Sequence, residues 1–216
     1  MKLVIGNKRY SSWSLRPWLL LKHAGIEFDE QLIRLDEPTT KAEILAVSPS
    51  GRVPCLIDGG IFVWETLAII EYVAETHPHL AIWPRDRAAR AVARAISNEM
   101  HAGFMGLRSA CPMNLRRRFA WRDRGAAAAN DVARITQLWR DARRRFGQDG
   151  PFLFGAFSAA DAMYAPVVYR LDGYSWPLDA DIAAYVAAML DLPEMRAWRD
   201  GADQEPWIVP SDEVPE

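Results

Sequence analysis

Strand-like patterning is confined to the first third of the chain, and that asymmetry decides most of the architecture. Leu3-Val4-Ile5 is a short β-type run and Phe28 to Ile33 a second. Val53-Pro54-Cys55-Leu56-Ile57 and Ile61-Phe62-Val63 flank Asp58-Gly59-Gly60 as a hairpin. The intervening and following stretches read as helices: Ser14 to Ala24, closed by Gly25, then Thr39 to Ala46, then Glu65 to Glu75. The order is β-α-β-α-β-β-α, with the first two strands joined through a helix and therefore parallel. Past His77-Pro78 and Trp83-Pro84 no alternating run recurs, and Ala- and Arg-rich helical stretches follow. The expected fold is an α/β domain over residues 1–80, a linker at 78–86 and an all-helical domain over residues 86–216.

Two long helices are predicted there, Asp86 to Ala110 and Asp123 to Arg145. The first carries Ile96, Met100, Phe104, Leu107 and Cys111 on one stripe, and the second Val132, Ile135, Leu138 and Trp139. Shorter helices follow at Ser158 to Leu171, Asp179 to Leu190 and Pro193 to Asp200. With 216 residues, half of them apolar, the chain can bury the cores this requires. No apolar run approaches a membrane span or a signal-peptide core, which points to a soluble, cytoplasmic protein. Cys55 and Cys111 stand far apart with no metal-type spacing, so neither a disulfide framework nor a metal site is expected.

The formal charge of -2 hides a strong polarity. Residues 1–80 carry 8 basic and 10 acidic side chains, residues 81–145 carry 15 and 5, and residues 146–216 carry 3 and 13. Arginine supplies 22 of the 26 positive charges. The middle block is either an anion-binding face or the partner of the acidic end. Arg116-Arg117-Arg118 and Arg143-Arg144-Arg145 accompany no nucleic-acid motif, so no nucleic-acid partner is expected.

Three local features carry chemistry. Tyr10-Ser11-Ser12-Trp13-Ser14 follows the first strand, and Pro17 requires the helix to begin close to Ser12–Ser14. N-capping accounts for one hydroxyl; the others suit hydrogen-bond donation to an anion at the positive helix end. Val53-Pro54 is either an ordinary strand entry or a cis bond that exposes the Val53 backbone to an extended ligand. Glu65-Thr66 opens a helix directly after a strand, either as a cap or as a cradle for an ammonium and a carboxylate.

Together, these features at their spacings, with Ser48-Pro49-Ser50-Gly51-Arg52-Val53-Pro54 between them, resemble the glutathione S-transferase family over nearly the whole chain. Ser158-Ala159-Ala160-Asp161 is similar to the capping box that the family keeps in a core helix. Ser11-Ser12-Trp13-Ser14-Leu15-Arg16 is most similar to the zeta-class pattern Ser-Ser-Cys-Ser-Trp-Arg, with Trp13 in place of the cysteine. The resemblance implies a thioredoxin-like N-terminal domain, a helical C-terminal domain, glutathione as co-substrate, no metal and a homodimer.

It also implies roles. Ser11, or alternatively Ser12, donates to the glutathione sulfur. Val53 pairs with the cysteinyl unit beside cis Pro54, Glu65 and Thr66 hold the γ-glutamyl end, and Arg52 and Lys41 face the glycyl carboxylate. The electrophile is expected against the first long helix, on the stripe of His101, Met105, Arg108 and Pro112, with Phe104 beside it. Arg108 with Asn114 and Arg116 to Arg118 would favour an anionic co-substrate. The expected activity is serine-assisted attack of glutathione on small electrophiles. A glutathione-dependent cis-trans isomerase and a non-catalytic ligand-binding module are the alternatives.

Overall fold

The computed structural model describes residues 1–214. The strands are β1 (Lys2–Ile5), β2 (Asp29–Leu32), β3 (Cys55–Asp58) and β4 (Ile61–Trp64), interleaved with helices α1 (Ser12–His23), α2 (Thr40–Leu45) and α3 (Thr66–Thr76). They form one mixed sheet in the order β2-β1-β3-β4. β1 runs parallel to β2, with Leu3 opposite Glu30, and antiparallel to β3, with Leu3 opposite Leu56. This is the thioredoxin-like α/β domain expected, with each predicted element found within a few residues.

Helical structure follows: α4 (Arg87–Ala102), α5 (Met105–Ala110), α6 (Ala126–Phe146), α7 (Ala159–Gly173), α8 (Ala180–Leu190) and α9 (Pro193–Asp203). Nearly every side chain of α7 is buried, so α7 is the post around which both halves pack. Its start is held by the Ser158–Asp161 capping box, and Trp139 meets Tyr164 and Tyr185 edge-on beside it. Among the described residues no helix is long and apolar enough to cross a membrane.

One expectation is corrected. The predicted helix from Asp86 to Ala110 is two helices, interrupted by extended Gly103 and by Phe104 at φ 61°. Tertiary contacts set the break: Asp131 on α6 accepts from the Leu107 amide at 2.9 Å, and a Cβ on Gly106 would lie 2.6 Å from the Ala127 carbonyl carbon. α5 can therefore lie against α6 only with the chain turned.

Part of the charge polarity cancels inside the helical part. Arg118 pairs with Asp172 at 2.6 Å, Arg140 with Asp179 at 2.5 Å and Asp181 at 2.8 Å, and Arg117 with Glu213 at 3.3 Å. Each links the basic middle block to the acidic end. These are largely exposed pairs, each worth no more than about 1 kcal/mol; their meaning is that these arginines of the basic block are already partnered.

Candidate functional site

The turn from β1 into α1 is built to leave a helix end open. Ser11 occupies the N-cap position, yet its side chain makes no cap. Instead its hydroxyl donates to Ser14 Oγ at 2.7 Å, and Ser14 Oγ also accepts the Gly6 amide at 3.0 Å. Ser11 Oγ is thus pinned, whereas the Ser12 hydroxyl makes no hydrogen bond among the described residues. Pro17 lies in the second turn rather than the first. Having no N–H, it frees the Trp13 carbonyl, which accepts the Thr66 hydroxyl at 3.2 Å. That bond ties the first turn of α1 to the start of α3.

Two adjoining cavities open at this turn. The larger, about 480 Å³, is lined by Ser11, Ser12, Trp13, Arg52, Val53, Met105, Arg108 and, from farther along the chain, Arg170 and Asp212. The smaller, about 320 Å³, is lined by Trp13, Arg52, Val53, Pro54, Glu65, Thr66, His101 and Arg108. The Val53-Pro54 bond is cis, and the Val53 N–H and C=O have no backbone partner among the described residues. Glu65 sits at φ 69°, a region that costs a non-glycine residue about 1–3 kcal/mol and persists where the surroundings impose it. Its carboxylate stands 3.8 Å from His101 Nε2.

Of the residues singled out from the sequence, Ser11, Ser12, Arg52, Val53, Pro54, Glu65, Thr66, His101, Met105 and Arg108 meet around these cavities. Phe104, Lys41, Asn114 and Arg116 to Arg118 do not line them. Phe104 is buried in the hydrophobic core, because the break before α5 turns it inward. Lys41 reaches the Gly51 carbonyl at 3.4 Å, behind the wall. Asn114 and Arg116 are drawn to the chain end, where they meet Glu213.

Two charged lining residues are not picked out by the sequence, Arg170 and Asp212. Arg170 had a signal, being a lone cation within the apolar run Ala165 to Leu171. It is buried, bonds the Cys111 carbonyl at 2.8 Å, and is pushed down to about 10 by desolvation, with Arg108 adding to the effect. Asp212 had none. It arrives on the turn Pro210–Asp212, held by Asn114 on its carbonyl, and burial raises its carboxyl above its ordinary value.

The site is rich in arginine, and its two carboxylates, Glu65 and Asp212, leave Arg108 without an ion-pair partner. Arg108 is half-buried and makes neither an ion pair nor a side-chain hydrogen bond among the described residues; desolvation lowers its pKa. Arg16, behind the cavities, is fully buried, bonds only the carbonyls of Met163 and Ser12, and leaves Nη2 without a partner. Its pKa falls well below normal through desolvation, then through Arg170 and Arg108. Such a site favours an incoming carboxylate. Among the described residues no group of His, Cys, Asp or Glu is arranged to hold a metal.

Residues 10–76 match the family model for the glutathione S-transferase N-terminal domain, and residues 120–201 match that for the C-terminal domain. A maleylacetoacetate isomerase of Pseudomonas aeruginosa is 30% identical over 190 residues, 83% of this chain and 85% of that protein. The chain belongs to the glutathione S-transferase family. A probable maleylacetoacetate isomerase of Caenorhabditis elegans is 35% identical over 96 residues, a match spanning 44% of each chain. Among solved structures, a maleyl pyruvate isomerase described as a zeta-class bacterial glutathione S-transferase superposes with a TM-score of 0.72 at 22% identity, covering 95% of this chain and 99% of that one. A Burkholderia glutathione transferase homologue with bound glutathione gives 0.71 at 23% identity, covering 94% and 98%.

Proposed function

We propose that this protein binds glutathione across the two cavities and uses Ser11 to hold its sulfur as a thiolate, which attacks a small electrophile bearing a carboxylate. The observation that carries this is the uncapped start of α1, with a pinned serine hydroxyl, opening into a cavity walled by Arg52, Arg108 and Arg170, of which Arg108 makes no ion pair among the described residues. The unpaired Val53 backbone would receive the cysteinyl unit, Glu65 and Thr66 the γ-glutamyl end, and Arg52 the glycyl carboxylate, with Lys41 supporting the Gly51 turn beside it.

A free thiol is mostly protonated at neutral pH, with a pKa near roughly 8.5, so stabilising the thiolate is the chemistry the site must supply. A hydroxyl donor and the positive end of α1 act in that direction. The thiolate then adds to the electrophile. With an activated carbon–carbon double bond, the sulfur–carbon bond forms as the π pair moves towards the conjugated carbonyl. If the adduct is protonated on carbon, a conjugate is released. If it rotates about the new single bond and expels the thiolate, the double bond returns in the other geometry. The names of the relatives support this second outcome, a glutathione-dependent isomerase.

The test is turnover of paired electrophiles, one a carboxylate and one its ester, with glutathione, scored for both conjugate and isomer. Arg108→Ala is expected to lower kcat/KM for the carboxylate about tenfold, the scale of a charge-assisted hydrogen bond, and to leave the ester unchanged. Equal losses for both would sink the anionic co-substrate. Firm glutathione binding without turnover of any electrophile would point to a ligand-binding module.

A homodimer completes the proposal. β4 is an edge strand, and Ile61, Phe62 and Trp64 on it are 53%, 43% and 42% exposed. Such an edge invites coverage. Phe62→Glu is expected to convert a species of twice the chain mass into one of the chain mass, read by light scattering at micromolar concentration.

A further inference from the structure

Trp13 stands where the two cavities meet and lines both. The Arg16 guanidinium lies over its indole at 4.2 Å and that of Arg108 at 4.7 Å. The His101 ring meets it edge-on with centroids 5.1 Å apart. Its backbone is fixed by the Thr66 hydroxyl on its carbonyl. Two like charges therefore converge on one ring, and neither has a carboxylate partner. Arg16 cannot leave, being fully buried. Arg108, on the short helix α5, has only its stack on the indole to hold it; without that stack a half-buried arginine repelled by Arg16 and Arg170 would swing into solvent. The negative face of the indole attracts a guanidinium without neutralising it. A carboxylate in the same place would hold Arg108 too, but would cancel its charge.

We propose that Trp13 is the positioning residue that sets the charge selectivity of the co-substrate, by stacking Arg108 against the cavity wall, fully charged and with its hydrogen-bond donors unspent. The carboxylate of the electrophile then supplies the missing counter-ion. This rests on the proposed thiolate chemistry with an anionic electrophile and adds to it the residue that makes Arg108 available.

The test uses the full chain with glutathione and two matched acceptors, acetylacrylate and its methyl ester. The wild type is expected to prefer the acid. Trp13→Leu is expected to raise KM for the acid about tenfold more than KM for the ester, with kcat for the acid changed much less than its KM. Trp13→Phe, which keeps a weaker π face, is expected to recover about half of that loss on a logarithmic scale. It also serves as the test should the leucine variant not fold, with an expected rise of about threefold over wild type. A selectivity that survives in both Trp13 variants yet disappears in Arg108→Ala overturns the role of Trp13 and leaves the anionic co-substrate standing. A wild type with no preference for the acid overturns both. Parallel losses on acid and ester would make Trp13 a structural residue and would also overturn the proposal.

Discussion

Ser11→Ala is expected to raise the pKa of the bound glutathione thiol by about 1–2 units, towards the roughly 8.5 of the free thiol. The structural reason is preorganisation. Ser11 Oγ is held by Ser14, which the Gly6 amide holds in turn, so a donor directed at the sulfur loses little rotational freedom on binding. Hydroxyl hydrogens rotate, and Ser14 can return a proton to Ser11 Oγ when Ser11 turns its own towards the thiolate. Ser12 also lines the cavity but is unanchored, so Ser12→Ala is expected to shift the thiol by less than about half a unit.

The thiolate is read directly by its ultraviolet absorbance during a pH titration of the complex. At pH about 5.5, below both pKa values, the thiolate population falls about 10- to 100-fold in Ser11→Ala. The more basic thiolate is intrinsically a better nucleophile, which returns roughly half of this on a logarithmic scale. The net loss in kcat/KM is then about 3- to 10-fold at low pH and shrinks as the pH rises past the free-thiol value. A loss that stays constant across pH would assign Ser11 to binding instead of thiol activation. A larger shift in Ser12→Ala than in Ser11→Ala would exchange their roles.

The elements that the sequence made legible are the ones that local chemistry determines. The short strands, the Gly-rich turn at Asp58-Gly59-Gly60 and the Ser158–Asp161 box each state their structure within a few residues, and all appear in the fold. The cluster of Ser11, Val53, Glu65 and Thr66 could be assembled only through the family resemblance, because three loops far apart in sequence converge on it. What stayed hidden depends on distant partners. Nothing between Asp86 and Ala110 announces a break at Gly103–Phe104, since Asp131 and Ala127 on another helix impose it. That break decides which side chains face the cavities: Phe104 turns into the core while Met105 and Arg108 turn out. Likewise the excess of arginine in the middle block says little by itself. Only when Arg117, Arg118 and Arg140 are seen spent on Glu213, Asp172, Asp179 and Asp181 does the lack of any such partner for Arg108 acquire meaning.

The largest loss of stability is expected from Asp161→Ala. The Asp161 carboxylate is fully buried and accepts from the Leu153 amide at 3.0 Å, the Ser158 amide at 2.9 Å, and the hydroxyls of Ser158 and Tyr185, each at 3.1 Å. Alanine strands four buried donors at the start of the helix on which both halves of the molecule pack, a cost of about 4–5 kcal/mol. For a chain of this size that lowers Tm by about 10–15 °C.

The pH dependence has a definite sign. Burial pushes the Asp161 carboxyl up to about 6, against the pull of its donors, so between about pH 4 and 6 the folded state binds the proton more tightly than the unfolded chain does. Stability from this group therefore falls as pH rises through that window, by about 3 kcal/mol in all, and is fully present only below it. Asp161→Asn removes the titration while keeping the shape. The stability of wild type minus that of Asp161→Asn, from urea unfolding at a series of pH values, is expected to be largest near pH 4 and to shrink towards pH 7. A difference that grows with pH would mean that the donors hold the carboxylate ionised below its unfolded value, reversing the sign.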